Sequence, residues 1–216
     1  MLRISPKLVV FDLDGTLTDS STTIYKSTHR TFRELGMNHT IEKTQLDARI
    51  GAHFQEIFDD LHIDVGNVED FIHIYKGFYF DYLPETSLYE GAEEILHHLK
   101  KRNCKTALLT TKAQDQAEKI LHSFKLDGYF DLIMGRRPGM AVKPSPEPLQ
   151  YIMRELLVAP QDTLMVGDSE LDIRCGKNAG THTAAVTYGY RTEELLRKEQ
   201  PDFLVTRLSE LKEIIK

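Results

Sequence analysis

The chain opens on a short apolar run, Leu8-Val9-Val10-Phe11, which stops at Asp12-Leu13-Asp14-Gly15. A β-branched and aromatic run closed by turn residues predicts a buried strand that feeds a tight turn. Comparable runs recur at Thr106–Thr110, Leu132–Met134, Thr163–Gly167, Thr181–Val186 and Phe203–Val205. Between the later runs, apolar residues adopt helical spacing: Ala92, Ile95, Leu96 and Leu99; Ala117, Ile120, Leu121 and Phe124; Leu149, Ile152, Met153, Leu156 and Leu157. Alternating strands and helices, with strands apolar on both faces, predict an α/β fold whose parallel sheet is covered by helices on both sides. Ligands of such sheets bind at the carboxyl ends of the strands.

Residues 18–83 break this alternation. They offer three helical stripes, Ile24, Thr28, Phe32 and Leu35, then Phe54, Ile57, Phe58 and Leu61, then Phe71, Ile74, Tyr75 and Phe78, without a convincing strand. The reading is a helical insertion that leaves after the first strand and returns near Pro84 to Gly91, dividing the chain into a core of 1–17 and 84–216 and a cap of 18–83.

A length of 216 residues suits one core with a small inserted module, and 41% hydrophobic with 28% charged residues is ordinary globular usage. No apolar run approaches the roughly 20 residues of a membrane span, and no cleavage-site pattern follows Arg3 and Lys7, so a cytoplasmic protein is expected. Two cysteines, Cys104 and Cys175, make neither a disulfide framework nor a zinc site and are expected as small buried residues. With a net charge of −6 and its basic residues scattered, the chain is not expected to bind nucleic acid.

Asp12 and Asp14, two residues apart at a strand end and followed by Gly15 and Thr16, can act on one bound group from adjacent positions. If that group is a phosphate, it repels the carboxylates, and a magnesium ion held by hard oxygens would sit between them. Asp12 would then form an aspartyl-phosphate, with Asp14 protonating the leaving oxygen and later deprotonating water. Taken alone, Asp-x-Asp-Gly is equally a polar turn. Thr110 at a strand end is equally a helix cap, Lys143 a surface lysine, and Asp168 and Asp172 acids favoured by a helix dipole.

The wider strings weigh against those readings. Leu8 to Ser20 resembles the first motif of the haloacid dehalogenase superfamily almost residue for residue. Ala107–Lys112, Val142-Lys-Pro-Ser-Pro-Glu147 and Leu164–Asp172 with Asn178-Ala-Gly180 are similar to its other three motifs, in the expected order. The resemblance implies a Rossmann-like core with an all-helical cap. It makes Asp12 the nucleophile and Asp14 the acid and base, with Thr110, Thr111 and Lys143 binding phosphate. It also implies that Asp12, Asp14 through its backbone carbonyl, Asp168 and Asp172 hold or support Mg2+.

Retention of Asp14 argues against the dehalogenase and phosphonate-cleaving branches, and the cap looks most like that of the phosphoglycolate phosphatase group. The expected partner is a small phosphorylated metabolite, with the protein a monomer or homodimer. Pyrophosphatase, nucleotidase, sugar-phosphate mutase and a non-catalytic binding protein are the alternatives carried. Arg49 and His53, in a segment similar to the loop that related enzymes place over substrate, are candidates to touch the leaving group, against a purely structural role. Arg136 and Arg137 are expected on a solvent-facing loop, His97 and His98 on a helix surface, and Glu170 as a helix-dipole acid.

Overall fold

In a computed structural model describing residues 3–216, six parallel strands form one sheet in the order β5-β4-β1-β6-β7-β8. They are β1 (Leu8–Phe11), β4 (Lys105–Ala113), β5 (Leu132–Arg136), β6 (Thr163–Gly167), β7 (His182–Val186) and β8 (Phe203–Val205). Every expected strand is present, with β4 and β5 running further than their apolar cores. β1 lies centrally, paired with β4 on one side and β6 on the other, and all four of its residues are fully buried.

The two-residue side-chain period sorts the sheet between two cores. Val9, Phe11, Leu108, Leu164, Val166, Ala184 and Val186 face α5 (Ala92–Lys101), α6 (Gln114–Ser123) and α10 (Leu211–Ile214). Leu8, Val10, Ala107, Leu109 and Met165 face α7 (Glu147–Glu155) and α8 (Glu170–Ala179), while α9 (Glu193–Lys198) packs Leu196 against Ala185. Most of the stripes read from the sequence on α5, α6 and α7 are buried, Ala92, Ile95, Leu96 and Leu99, then Ala117, Ile120 and Leu121, then Leu149, Ile152 and Met153, but Phe124 and Leu156 are half-buried and Leu157, beyond the end of α7, is 89% exposed.

After β1 the chain winds around the Leu13 carbonyl, which accepts the backbone N–H groups of Thr16, Leu17 and Thr18. It enters β2 (Thr18–Asp19), which pairs antiparallel with β3 (Ser87–Leu88), so the outgoing and returning strands are stitched side by side. Between them lie α1 (Ser21–Glu34), α2 (Lys43–Asp47), α3 (Phe54–Asp60) and α4 (Val68–Tyr82). α1 packs along α4 and buries hydroxyls as well as Ile24 and Phe32. Ser27 and Thr31 donate to carbonyls one turn back, and Thr23 pairs with Thr86, so these hydroxyls need no water.

Phe32, Phe54, Phe58 and Phe71 form the aromatic centre of the helical segment. On α4 the buried face is Phe71, Ile72, Tyr75 and Tyr79, rotated from the expected stripe through Ile74 and Phe78. Phe78 is covered instead by the Arg30 guanidinium, 4.1 Å from its ring centre. α2 was not foreseen: it is one turn long, with a single buried apolar residue, Leu46.

Candidate active site

The carboxyl ends of β1, β4 and β6 converge on one buried group of charges. Asp12 follows β1, with its N–H bonded to the Val166 carbonyl, and Asp168 follows β6. One carboxylate oxygen from each of Asp12, Asp168 and Asp172 lies within 4.8 Å of the others, and all three residues are buried. Lys143 reaches the same point from the loop before α7. Its ammonium donates to Asp12 at 2.7 Å, to Asp172 at 2.6 Å and to the Leu109 carbonyl at 3.2 Å. A lysine with a side chain 1% exposed is a core residue, and the surface reading of Lys143 does not hold.

Asp172 serves two neighbours at once. Its Oδ2 accepts the Ser169 backbone N–H and hydroxyl, closing a capping box at the start of α8, while Oδ1 takes Lys143. The cap role and the charge-cluster role, posed as alternatives by the sequence, coexist. Asp168 lies before the Ser169 cap and outside the helix, so its approach to Asp172 is made by the strand-to-helix turn and not by helical periodicity.

Asp168 is fixed by Tyr190 N–H at 2.7 Å, and two glycines press against it. A Cβ at Gly15 would lie 2.2 Å from its Oδ2, and one at Gly189 would lie 2.3 Å from its Cβ. Gly15 also has φ +86°, a left-handed conformation that side chains resist.

Four buried charges of this kind are not balanced. Burial, then Asp172 and Asp12, raises the Asp168 carboxyl well above the usual range. Burial also dominates at Asp12, where it is opposed by Lys143 and reinforced by Asp172 and Asp14, and the carboxyl rises to about 7. At Lys143, burial works to lower the ammonium, but the Asp12 and Asp172 carboxylates outweigh it and the net direction is upward. Three carboxylates against one ammonium leave surplus negative charge, and the donors are all hard oxygens. The residues present fit a divalent cation of the magnesium type.

Asp14 is not in that cluster. Its carboxylate accepts from the Ser20 hydroxyl and pairs with the Lys112 ammonium at 3.2 Å, both Asp14 and Lys112 side chains being 8% exposed. Lys112 in turn lies 4.4 Å from the ring centre of Tyr79 on α4, so the helical segment holds the lysine against the acid. Tyr190 joins the same edge by accepting the Ser20 N–H through its hydroxyl.

Thr110 is buried within β4, where the pairing with β5 shifts register, and its hydroxyl accepts the Lys112 N–H. The Thr111 hydroxyl donates to the Gly51 carbonyl of the loop before α3, which ties core to helical segment. The same seam carries two ion pairs of opposite polarity: core Arg136 grips Glu69 with two bonds of 2.9 Å, and Lys76 of α4 meets Asp115 at 2.6 Å. Arg136 therefore does not sit on a solvent-facing loop. It ends β5 and is recruited across the seam. Arg137 is partly buried, with its Nε donating to Gln114.

Between seam and core lies a cavity of about 60 Å³, lined by Asp14, Ile50, Gly51, Ala52, His53, Phe54, Ile57, Ile72, Thr111, Lys112, Gln116 and Arg136, among others. His53 thus faces the site, whereas Arg49 is bound within the helical segment to Asp60 and the Gln45 carbonyl. Glu170 pairs with the buried Arg191 instead of serving only a dipole. Cys175 is buried and Cys104 partly so. His97 is exposed and His98 half-buried on α5.

Ser20, Tyr190, Gly189 and Gln116 carried no expectation from the sequence. The sequence signals near them are the end of the Leu8 to Ser20 string and the Tyr188-Gly-Tyr190 cluster just past a strand's carboxyl end.

This arrangement of sheet, aspartates and lysine defines a class, and comparison agrees. The sequence model of haloacid dehalogenase-like hydrolases matches residues 9–186, and the chain belongs to that family. It is 36% identical over 208 residues to Pyrophosphatase PpaX of Bacillus thuringiensis (strain Al Hakam), covering 96% of this chain and 95% of that one. A predicted phosphatase from Clostridium acetobutylicum superposes with a TM-score of 0.82 at 28% identity, over 97% of this chain and 98% of the other. A predicted phosphoglycolate phosphatase from Haemophilus somnus 129PT shares the fold, with a TM-score of 0.81 at 24% identity over 96% and 97% of the two chains. The chain is a phosphatase of the haloacid dehalogenase type, in a family whose members act on phosphorylated small molecules and generally use a divalent metal. Among the described residues, no helix is long and apolar enough to cross a membrane.

Proposed function

We propose that the chain is a magnesium-dependent phosphatase that hydrolyses a small phosphomonoester through an aspartyl-phosphate on Asp12, with residues 18–83 as the cap over the site. The observation that carries this reading is the buried group of Asp12, Lys143, Asp168 and Asp172. Asp12, Asp168, the Asp14 backbone carbonyl and, in support, Asp172 are the residues that would hold magnesium. Bound there, it would screen the phosphate from the carboxylates and withdraw charge from the phosphoryl oxygens.

In the first half-reaction an Asp12 carboxylate oxygen forms a bond to phosphorus, the bond to the leaving oxygen breaks, and Asp14 supplies that oxygen with a proton. In the second, Asp14 takes a proton from water, whose oxygen attacks phosphorus, releasing phosphate and restoring the Asp12 carboxylate. Lys143 keeps Asp12 oriented and opposes charge that builds on the transferring group, with Thr110 beside it as a phosphate ligand. Thr111 has its hydroxyl on Gly51, and its contribution is to hold the cap loop in register.

Phosphoglycolate is the leading candidate substrate. Pyrophosphate is a second, favoured by the 36% identical relative that bears the name of a pyrophosphatase. The test is phosphate release from phosphoglycolate, pyrophosphate, sugar phosphates and nucleotides, with magnesium or EDTA. Release that disappears in EDTA and in Asp12→Asn supports the reading. Turnover that persists in either counts against it.

A further inference from the structure

The cavity beside Asp14 holds two polar groups that nothing in the protein satisfies. His53 Nε2 and Gln116 Nε2 are both buried without a hydrogen-bond partner, and Gln116 is 2% exposed. A buried donor left unpaired costs on the order of 1–3 kcal/mol, so two of them lining one cavity need an account. The protonation of His53 follows from its contacts. Its Nδ1 accepts the Gln55 N–H at the start of α3, so the neutral ring carries its hydrogen on Nε2 and presents a donor to the cavity. Burial, then Arg136, against the pull of Glu69, favours that neutral ring. Glu69 lies 4.0 Å from Nε2, beyond hydrogen-bond reach, and is already gripped by Arg136.

The charged groups of the cavity are mutually paired, Lys112 with Asp14 and Arg136 with Glu69, which leaves the two N–H groups as the unused recognition elements. They ask for oxygen that accepts without bringing hydrogens of its own. The cavity volume of about 60 Å³ admits only a compact group. Because Asp14, the acid of the proposed mechanism, lines it, the group it would receive is the one on the leaving side of the phosphoryl transfer.

Building on the phosphatase reading above, we propose that His53 and Gln116 select substrates whose leaving group carries a compact anion, a carboxylate or a second phosphate, over sugar and nucleoside leaving groups. Hydrogen bonds from neutral donors to a charged acceptor contribute about 1.5–3 kcal/mol each, or roughly 10- to 150-fold in affinity. A site built to make them rejects an analogue that lacks the acceptor.

The test is calorimetric titration of Asp12→Asn, loaded with magnesium, with phosphoglycolate, pyrophosphate and ethyl phosphate, the last having nearly the glycolate skeleton without its carboxylate. At least one of the two anion-bearing ligands should bind 10-fold or more tighter than ethyl phosphate, and the tighter of the two identifies the anion. Adding Gln116→Leu, or His53→Asn, which preserves a helix cap but is too short to reach, should remove most of that preference and leave ethyl phosphate unchanged. Equal affinity for all three ligands, or variants that weaken all of them alike, would overturn the assignment. Phosphate release by the unsubstituted enzyme from the same three compounds separates the two claims. No release from any of them refutes the phosphatase reading, whereas the preference in binding stands or falls independently.

Discussion

Lys143→Met tests the charge balance at the heart of the site. The substitution keeps an unbranched chain of similar length and removes only the ammonium, which now bonds Asp12 at 2.7 Å, Asp172 at 2.6 Å and the Leu109 carbonyl at 3.2 Å. The lysine and both aspartate side chains are at most 3% exposed, so water cannot replace the lost partner. Removing one member of a buried ion pair costs about 3–5 kcal/mol, because the other is left charged and unpaired. Unfolding entropy of roughly 2.1 cal/mol/K per residue over 216 residues gives about 0.45 kcal/mol/K, so the melting temperature in EDTA should fall by about 7–11 °C. Differential scanning calorimetry reads this directly. Lys143→Met with Asp172→Asn should recover part of the loss, since one stranded carboxylate is gone, while activity stays absent. A melting temperature within about 2 °C of the parent protein would mean that Lys143 does not balance the aspartates, and the reasoning would fail.

Asp14→Asn should slow the first half-reaction with an alkyl phosphate by on the order of 10²–10⁴, and much less with an activated aryl ester that needs little acid; comparable slowing of leaving-group release from both in the first turnover, followed by rapid mixing, would exclude the acid role. Gly189→Ala should push Asp168 out of place, because the new methyl would lie 2.3 Å from its Cβ, and magnesium affinity measured by titration should drop at least about 10-fold with the fold retained. In EDTA, Asp12 should make stability fall with pH. Its carboxyl titrates near 4 unfolded but near 7 folded, burial being the main cause, so the folded chain holds more protons in that window. Urea melts should therefore show the advantage of Asp12→Asn over the parent growing from pH 4 to 7, and a shrinking advantage would reverse the assigned shift.

Much of this was legible in the sequence because its signals are local. Leu8–Phe11 and Thr163–Gly167 are apolar on both faces, and that pattern belongs to strands in the middle of a covered sheet. The motif aspartates and Lys143 are likewise in short strings, and the fold brings Asp12, Lys143, and Asp168 with Asp172 together from three separate stretches. What stayed illegible depends on contacts between distant segments. Arg136 looks like a loop residue until Glu69 meets it, and Phe78 looks like core until Arg30 covers it. Tyr190 orders Ser20 across 170 residues of chain and Asp168 across 22, relations that no window of neighbouring positions contains. The short α2 lacks enough apolar residues to show a period.

The central claim is that Asp12 carries the phosphoryl group. The most direct measurement is rapid acid quench of the magnesium-loaded protein during turnover of a phosphate-labelled substrate, followed by peptide mass analysis. The account predicts a base-labile phosphoryl group on the peptide containing Asp12, absent in Asp12→Asn and accumulating in Asp14→Asn when the ester has a good leaving group. Turnover with no label on the protein, or label on a different residue, would contradict it.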